Sequence, residues 1–416
     1  MILRWFMSKT VREALTVHKH YRRLLAAQRD LLSPQASGPV QAKLDELMAA
    51  IQEGHTGKIN IKADELQQTA EKWLKPYPNA SWRENVEVLL VALAVAMGIR
   101  TFFLQPFKIP TGSMQPTLFG VVSTPDYVRA FGFSHYGMQE QFDNEFAKQI
   151  AAQKTLEIPT GWNRVKEFFE GNSYIHFVAP CDGQVEDIKA PVGVKLINFW
   201  QDFVFAGQTH RIWFPPDYGE SDLATRAGLF RDRKYHQGDD IIKLRVSAGD
   251  HLFVDRVTYN FRKPDRGEII VFATAGTEIT LQDQFYIKRL TVLPNDRVSI
   301  GNDRHMRING ARLDASTPHF ENVYGFNPDK PPRESQYSGH VNGFVAQEFN
   351  LYPVAPRFPD AETVFTNGPD TLMVFGDNTC NSSDSRTWGT FPAQNIIGKS
   401  SFVYWPLTWR FGWGNR

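Results

Sequence analysis

Residues Phe107 to Leu118 read FKIPTGSMQPTL and follow directly on the only strongly apolar run of the chain, Val88 to Ile99. A short β-rich piece, Phe107-Lys-Ile-Pro110, gives way to Thr111-Gly112-Ser113, a small-residue turn that presents one hydroxyl just outside an element of nearly membrane length. Most serines in Gly- and Pro-rich turns satisfy their own backbone and do no chemistry. A nucleophilic Ser113 therefore needs support from the rest of the chain.

The 416 residues imply two or three domains, with ample chain for a packed core. A net charge of +1 gives no footprint for nucleic acid. Cys181 and Cys380 form no C-x-x-C pair and lie near no histidine pair of metal-ligand spacing, so neither a zinc site nor a disulfide scaffold is expected. Whether the two thiols pair with each other stays open. H-E-x-x-H, G-x-S-x-G and Walker A patterns are absent, which removes the usual rivals for hydrolase chemistry. The hairpin-like Ala179-Pro-Cys-Asp-Gly-Gln-Val185 has no acceptor lysine at a lipoyl-like turn, and no metal or cofactor is expected.

Residues 1–80 read as helical, with a basic flank that fits a cytoplasmic side. Met1 to Met7 is apolar but far too short to span a bilayer. Ser8 to Leu32 is helical and basic. After breakers at Ser33-Pro34 and Ser37-Gly38, Val40, Leu44, Leu47 and Ile51 recur at the spacing of a packed seam, which gives a helical hairpin. A third amphipathic piece around Ile61, Leu66 and Trp73 should end at Lys75-Pro76-Tyr77-Pro78. The region reads either as a solvated appendage or as a docking or dimerising element. Ser81-Trp82-Arg83-Glu84 forms a capping box for a helix over Val86 to Leu104, roughly 28 Å long. Glu87 and Arg100 lie near its ends, and Phe102 and Phe103 add apolar length, so residues 84–105 are expected to cross a membrane once.

Residues 106–416 should form the main body. Phe119 to Ala248 holds helical patterns near Gln139 to Gln153 and Trp162 to Glu170, then strand-like runs at Tyr174 to Val178, Gln184 to Ile188 and His210 to Phe214. This is an inserted α+β subdomain over 119–248, read either as a lid or spacer or as a rim that selects substrates or docks other machinery. From Gly249 the pattern is mostly β, at His251 to Val254, Glu268 to Phe272, Phe285 to Val292, Arg297 to Ile300 and Leu372 to Val374, with an Asn-Gly hairpin signal at Ile308 to Gly310. A Pro-rich stretch of weak periodicity, 317–370, reads as a second loop expansion. The fold class is a mainly β core with an inserted α+β subdomain, one transmembrane helix and an N-terminal helical hairpin.

A serine hydroxyl needs a base, and no histidine sits in a recognisable triad context. Lys288 stands in Tyr286-Ile-Lys-Arg289, where strand alternation puts Tyr286, Lys288 and Leu290 on one face and Ile287 with Arg289 on the other. An exposed lysine is a poor base, because only about one in 2,500 is neutral at pH 7. Burial without a carboxylate partner would lower its pKa into a useful range, with Arg289 holding the acidic groups instead.

Gln105 to Leu118, QPFKIPTGSMQPTL, resembles the nucleophile box of bacterial type I signal peptidases. Three more boxes follow in that family's order: GDHLFVDR at Gly249 to Arg256, YIKR at Tyr286 to Arg289, and GDNTCNSSDSR at Gly376 to Arg386. The resemblance covers most of the chain from Glu84 onward. It implies Ser113 as nucleophile, Lys288 as general base and an oxyanion site made by the Ser113 amide and Thr111, although Thr111 also reads as a plain turn cap. It further implies that Ser382 bonds the lysine amine and that Asp384 and Arg386 tie the last loop together. Ile109, Met114, Leu118, Tyr286 and Ile287 would line pockets for small side chains, and extended backbone at Ile109-Pro110 and Asp283 to Tyr286 would receive a peptide as an added strand. Two departures stand out: the insert after Leu118, and Thr379-Cys380 where the family has an Arg-Asp pair.

The resemblance therefore implies a membrane-bound serine endopeptidase that removes N-terminal signal peptides after small-x-small sites. It would sit in the bacterial inner membrane as a single-pass protein, N-terminus cytoplasmic and catalytic domain extracytoplasmic. Its partners would be secretory preproteins, membrane lipid and the export machinery. The alternatives are an inactive membrane-anchored scaffold of the same fold and a self-cleaving Ser/Lys repressor-type protease, against which the membrane helix argues.

Overall fold

The computed structural model describes residues 9–28, 32–74, 80–124, 156–194, 197–229, 234–279, 282–335, 337–351 and 355–413. The expected Met1–Met7 segment, the turn at Lys75 to Pro78 and the helix over Gln139 to Gln153 lie outside them. The chain divides into two compact units, Met1–Ala96 and Met97–Arg416.

In the first unit, α1 (Lys9–Gln28), α2 (Pro34–Glu53) and α3 (Thr56–Trp73) share one core, so the expected hairpin is a three-helix bundle. Val40, Leu44, Leu47 and Ile51 of α2 bury against Val11, Leu24 and Leu25 of α1 and Ile59, Leu66 and Ala70 of α3. Ile61, expected on the packed stripe, is 59% exposed. Two residues past Ile59 is more than half a helical turn, and it carries Ile61 to the outside. Pro34 takes the first helical position, where its missing N–H is not needed. Ser37 and Gly38 lie inside α2 instead of breaking it, and the Ser37 hydroxyl donates back to Ser33 O. Across α2 and α3, Lys43 and Lys62 each lie 2.7–2.9 Å from both Glu46 and Glu65.

The helix α4 (Ala80–Phe102) begins six residues before the expected Val86 and takes in Ser81. It ends before Leu104 because Leu104 already pairs with Asp255 in a sheet. Its stretch Glu84–Phe102 has a mean hydropathy of 1.7 and none of it is buried, which makes it long and apolar enough to cross a membrane.

The second unit is mainly β. Among the described residues its largest sheet has eight strands: β1 (Leu104–Lys108), β2 (His251–Asp255), β3 (Ile269–Ala273), β4 (Phe285–Val292), β5 (Thr371–Phe375), β6 (Phe391–Pro392), β7 (Ile396–Trp405) and β8 (Gly412–Trp413). The spatial order is β1-β2-β7-β3-β4-β5-β6, with β8 paired to β7. The sheet curls enough for β1 to approach β4: the Phe107 and Phe285 rings meet edge to face at 5.5 Å, and Ile109 and Met114 share a cluster with Ile287.

The insert has a core of its own. Asp240–Ser247 runs between Val122–Thr124 and Asn172–Val178, and a second sheet forms around Ile197–Phe205. Phe203, Phe205, Leu223, Ile242 and Leu244 are buried between them. Asn309 and Gly310 both take positive φ, 53° and 85°, in the hairpin joining Met306–Ile308 to Ala311–Arg312. Stretch 317–370 is no simple loop expansion, since Phe320, Val323, Tyr324 and Phe358 pack on Val298 and Ile300, and Val341, Val345 and Leu351 form a further cluster. Turns space its apolar residues irregularly, which hides them from any period. Cys181 and Cys380 are free thiols.

Candidate active site

One aspartate fixes both ends of the loop that carries Ser113. Ile109 N–H donates to Asp250 O at 3.0 Å, Asp250 N–H donates to Phe119 O at 2.8 Å, and Phe119 N–H donates to Asp250 Oδ2 at 2.8 Å. Asp250 is fully buried, and Arg410 Nε donates to its carboxylate at 2.9 Å. The Gly249-Asp250 box thus sets the frame within which Ser113 is aimed.

Lys288 comes from the middle of β4, opposite Ile270. The alternation places Tyr286 and Leu290 in one apolar cluster and Ile287 in another. Only 5% of Lys288 is exposed, and its Nζ donates to Ser113 Oγ at 2.6 Å and to Ile287 O at 3.2 Å. It makes no ion pair among the described residues. Burial lowers its pKa to about 8, with Asp384, Glu220 and Asp377 pulling the other way. At that value about a tenth of the lysine is neutral at pH 7, hundreds of times more than for an exposed one.

The acidic groups nearby are claimed by arginines. Arg289 donates from Nε and Nη2 to Asp377 at 2.7 and 2.6 Å, and from Nη1 to Gly267 O and His319 O. The Thr117 hydroxyl, on the nucleophile loop, donates to the same Asp377. Arg386 donates from Nε and Nη2 to Asp384, both at 2.8 Å. Burial alone would push the Asp384 carboxyl up, but the Arg386 guanidinium holds it below the usual carboxylate range. Thr379, at one of the sequence departures, accepts from Arg386 Nη1 at 2.7 Å and from Val341 N–H at 3.1 Å, so this loop is tied by a hydroxyl there.

Asn378 and Gly376 had no role in the sequence reading, although both stand in a recognised box. Asn378 donates from its backbone to Ser113 O and from its side chain to Gly112 O. A Cβ on Gly376 would stand 2.1 Å from Ser382 Oγ and 2.5 Å from Ser113 O, so only a glycine lets that backbone come so close.

Several expected contacts differ. Ser382 is fully buried, but its hydroxyl has no hydrogen-bond partner among the described residues and so makes no bond to the lysine amine. Ile109, Met114 and Leu118 are buried together with Leu252 and Val254, forming a closed floor, while the Tyr286 ring stands beside the lysine, its centroid 5.5 Å from Lys288 Nζ. Ile109-Pro110 is not an open edge: Ile109 N–H is bonded to Asp250, and Pro110 O accepts from Val121 N–H at 3.3 Å. Among the described residues the unpaired edges beside Ser113 are those of β1 and of Phe285 to Lys288, because β5 pairs with β4 only from Arg289 onward. Neither the Ser113 N–H nor the Thr111 hydroxyl has a partner among the described residues, which leaves both able to donate.

The family model described as "Signal peptidase, peptidase S26" matches residues 82–124 and 242–405, skipping most of the insert. The chain is similar to signal peptidase I of Leptolyngbya laminosa, 29% identical over 167 residues, 39% of this chain and 63% of that one. It is similar to probable signal peptidase I-1 of Synechocystis sp., 30% identical over 169 residues, 39% of this chain and 66% of the relative. With signal peptidase I of Bacillus caldolyticus it shares 29% identity over 164 residues, 39% of this chain and 73% of the relative. The chain thus spans less than two thirds of the length of the first two. A crystal structure of a signal peptidase I from Enterococcus faecalis aligns at a TM-score of 0.20 and 23% identity, over 33% of this chain and 97% of that chain, and adds nothing to the fold. The chain belongs to the signal peptidase family, peptidase S26.

Proposed function

We propose that this protein is a membrane-bound serine endopeptidase that removes N-terminal signal peptides from secreted preproteins, cleaving after small-x-small sites. The observation that carries the reading is the 2.6 Å hydrogen bond between Lys288 Nζ and Ser113 Oγ, made by a buried lysine with no carboxylate partner. Relatives named signal peptidase I support the substrate class.

Neutral Lys288 takes the hydroxyl proton as Ser113 Oγ attacks the carbonyl carbon of the scissile bond. The oxyanion that forms accepts from the Ser113 N–H and the Thr111 hydroxyl, neither of which has a partner among the described residues. The lysine ammonium passes its proton to the leaving amine, and the acyl group stays on Ser113. Lys288, neutral again, takes a proton from water as that water attacks the ester, and the serine is restored. The peptide would lie between the free edges of β1 and β4 as an added strand. Because Ile109, Met114 and Leu118 close the floor, little room remains beside Ser113, which suits small side chains.

In this reading α4 anchors the enzyme in a bacterial inner membrane, with lipid around its exposed apolar side chains, the N-terminal unit cytoplasmic and the site extracytoplasmic, within reach of the export machinery. The test is to incubate the detergent-solubilised protein with a preprotein, beside Ser113→Ala and Lys288→Met. Wild type alone should process it. Processing that survives either substitution sinks the Ser/Lys assignment, and processing by none favours a scaffold.

A further inference from the structure

Beyond the residues that directly follow the nucleophile loop, the insert returns to the site at Asp217 to Glu220. Lys108, the last residue of β1, forms an ion pair with Asp217, whose carboxylate also accepts from Gly219 N–H at 2.7 Å. Gly219 has φ of 70°, and a Cβ there would stand 2.7 Å from Pro110 O and 3.1 Å from Val121 Cβ. The segment's backbone is therefore in contact with the residue three before the nucleophile. Tyr218 anchors it to the insert's core: the side chain is buried, its hydroxyl donates to Gln201 Oε1 at 3.0 Å, and its carbonyl accepts from Arg226 Nε at 3.1 Å. Held from both sides, these residues form a fixed wall.

Glu220 is next in that wall. Its side chain is exposed, and no hydrogen bond or ion pair engages its carboxylate among the described residues. It lies within electrostatic reach of both Lys288 and Tyr286. Although the residue as a whole is exposed, the wall desolvates its carboxyl group and raises the pKa, while the charges of Lys288 and Arg226 draw it partly back. Arg226 keeps its charge but turns its Nε–H to Tyr218 O at 3.1 Å, and Lys288 must be neutral when it acts. A carboxylate beside the reacting groups that no ion pair engages among the described residues has room for a cation, and a peptide along the free edge of β4 would bring one past it.

We propose that Glu220 is a specificity-determining residue, selecting peptide substrates that carry a lysine or arginine side chain close to the cleaved bond. The inference rests on the endopeptidase reading above. An acidic side chain at the same place would be repelled.

The test uses the full chain in detergent and a peptide with a small-x-small site, scanned residue by residue around the bond with Lys, Gln or Glu. It is run above pH 8, where Lys288 is mostly neutral. Wild type should favour Lys over Gln in kcat/KM by about two- to fivefold at one or two positions, the range of a partly exposed ion pair, and disfavour Glu by a similar factor. Glu220→Gln should bring both ratios near one, and Glu220→Lys should reverse them. Equal ratios in wild type, ratios that survive Glu220→Gln, or a Glu220→Gln effect confined to the pH profile would each overturn the proposal while the peptides are still cleaved. Cleavage of no peptide by wild type would overturn the endopeptidase reading, and this inference with it.

Discussion

Asn378 grips the turn that carries Ser113: its backbone N–H donates to Ser113 O at 3.1 Å and its Nδ2 donates to Gly112 O at 2.9 Å. Removing the side-chain bond costs only about 1 kcal/mol of stability. Catalysis is more sensitive, since misplacing a reacting atom by about 1 Å can cost a hundredfold. Asn378→Ala should therefore lower kcat at least tenfold, by order of magnitude, with a smaller change in KM. Asn378→Asp, which keeps the shape but loses the donor, should not restore it. Steady-state kinetics on both variants check this, and an unchanged kcat in either would show that the grip is not what aims the serine.

The buried Lys288 predicts two pH effects of one sign. Only the neutral amine accepts a proton, so kcat/KM should rise with pH along a limb of apparent pKa near 8. For stability, the folded value of about 8 lies below the ordinary 10.5, so between them the unfolded chain holds more protons and stability rises with pH. Below pH 8 the buried ammonium carries its whole penalty, about 3 kcal/mol. Lys288→Met should abolish processing, yet unfold at a higher temperature than wild type at neutral pH, with the gap closing towards pH 10.5. Thermal melts of the two proteins across this range decide it.

Much of the site was legible because its parts lie in short contiguous boxes. Alternation in Tyr286 to Leu290 gave the faces of β4, and the spacing of Val40 to Ile51 gave the seam of α2. What stayed hidden depends on residues distant in sequence. Nothing near Glu220 announces that it comes within electrostatic reach of Lys288, and Asp217 reveals its partner Lys108 only once the insert has folded back on β1. Ser382 was assigned by analogy to a bond that the packing does not make. In 317–370 the core residues follow turns, so no period exists to be read.

The Arg289 and Asp377 pair is almost wholly buried and also receives the Thr117 hydroxyl, so it couples β4, the last box and the nucleophile loop. Asp377→Ala strands a buried guanidinium and should cost about 3–5 kcal/mol in denaturant unfolding. Replacing both, as Arg289→Met with Asp377→Ala, should cost clearly less than the single loss. If the double variant is the less stable one, the pair itself supplies net stability.

Gly376 lets two chain segments cross without a side chain between them. A methyl there would overlap Ser113 O and Ser382 Oγ, and Gly376 N–H is also tied to Asp384 Oδ2 at 3.0 Å, so the glycine cannot easily give way. Gly376→Ala should destabilise by about 1–3 kcal/mol, the range for overpacking. It should also push the Ser113 turn away from Lys288, lowering kcat about a hundredfold. Adding Ser382→Gly removes one overlap and should recover part of the stability. The clash with Ser113 O remains, so the rate should stay low. Recovery of both together would mean that the rate loss came through Ser382 and not through displacement of the nucleophile.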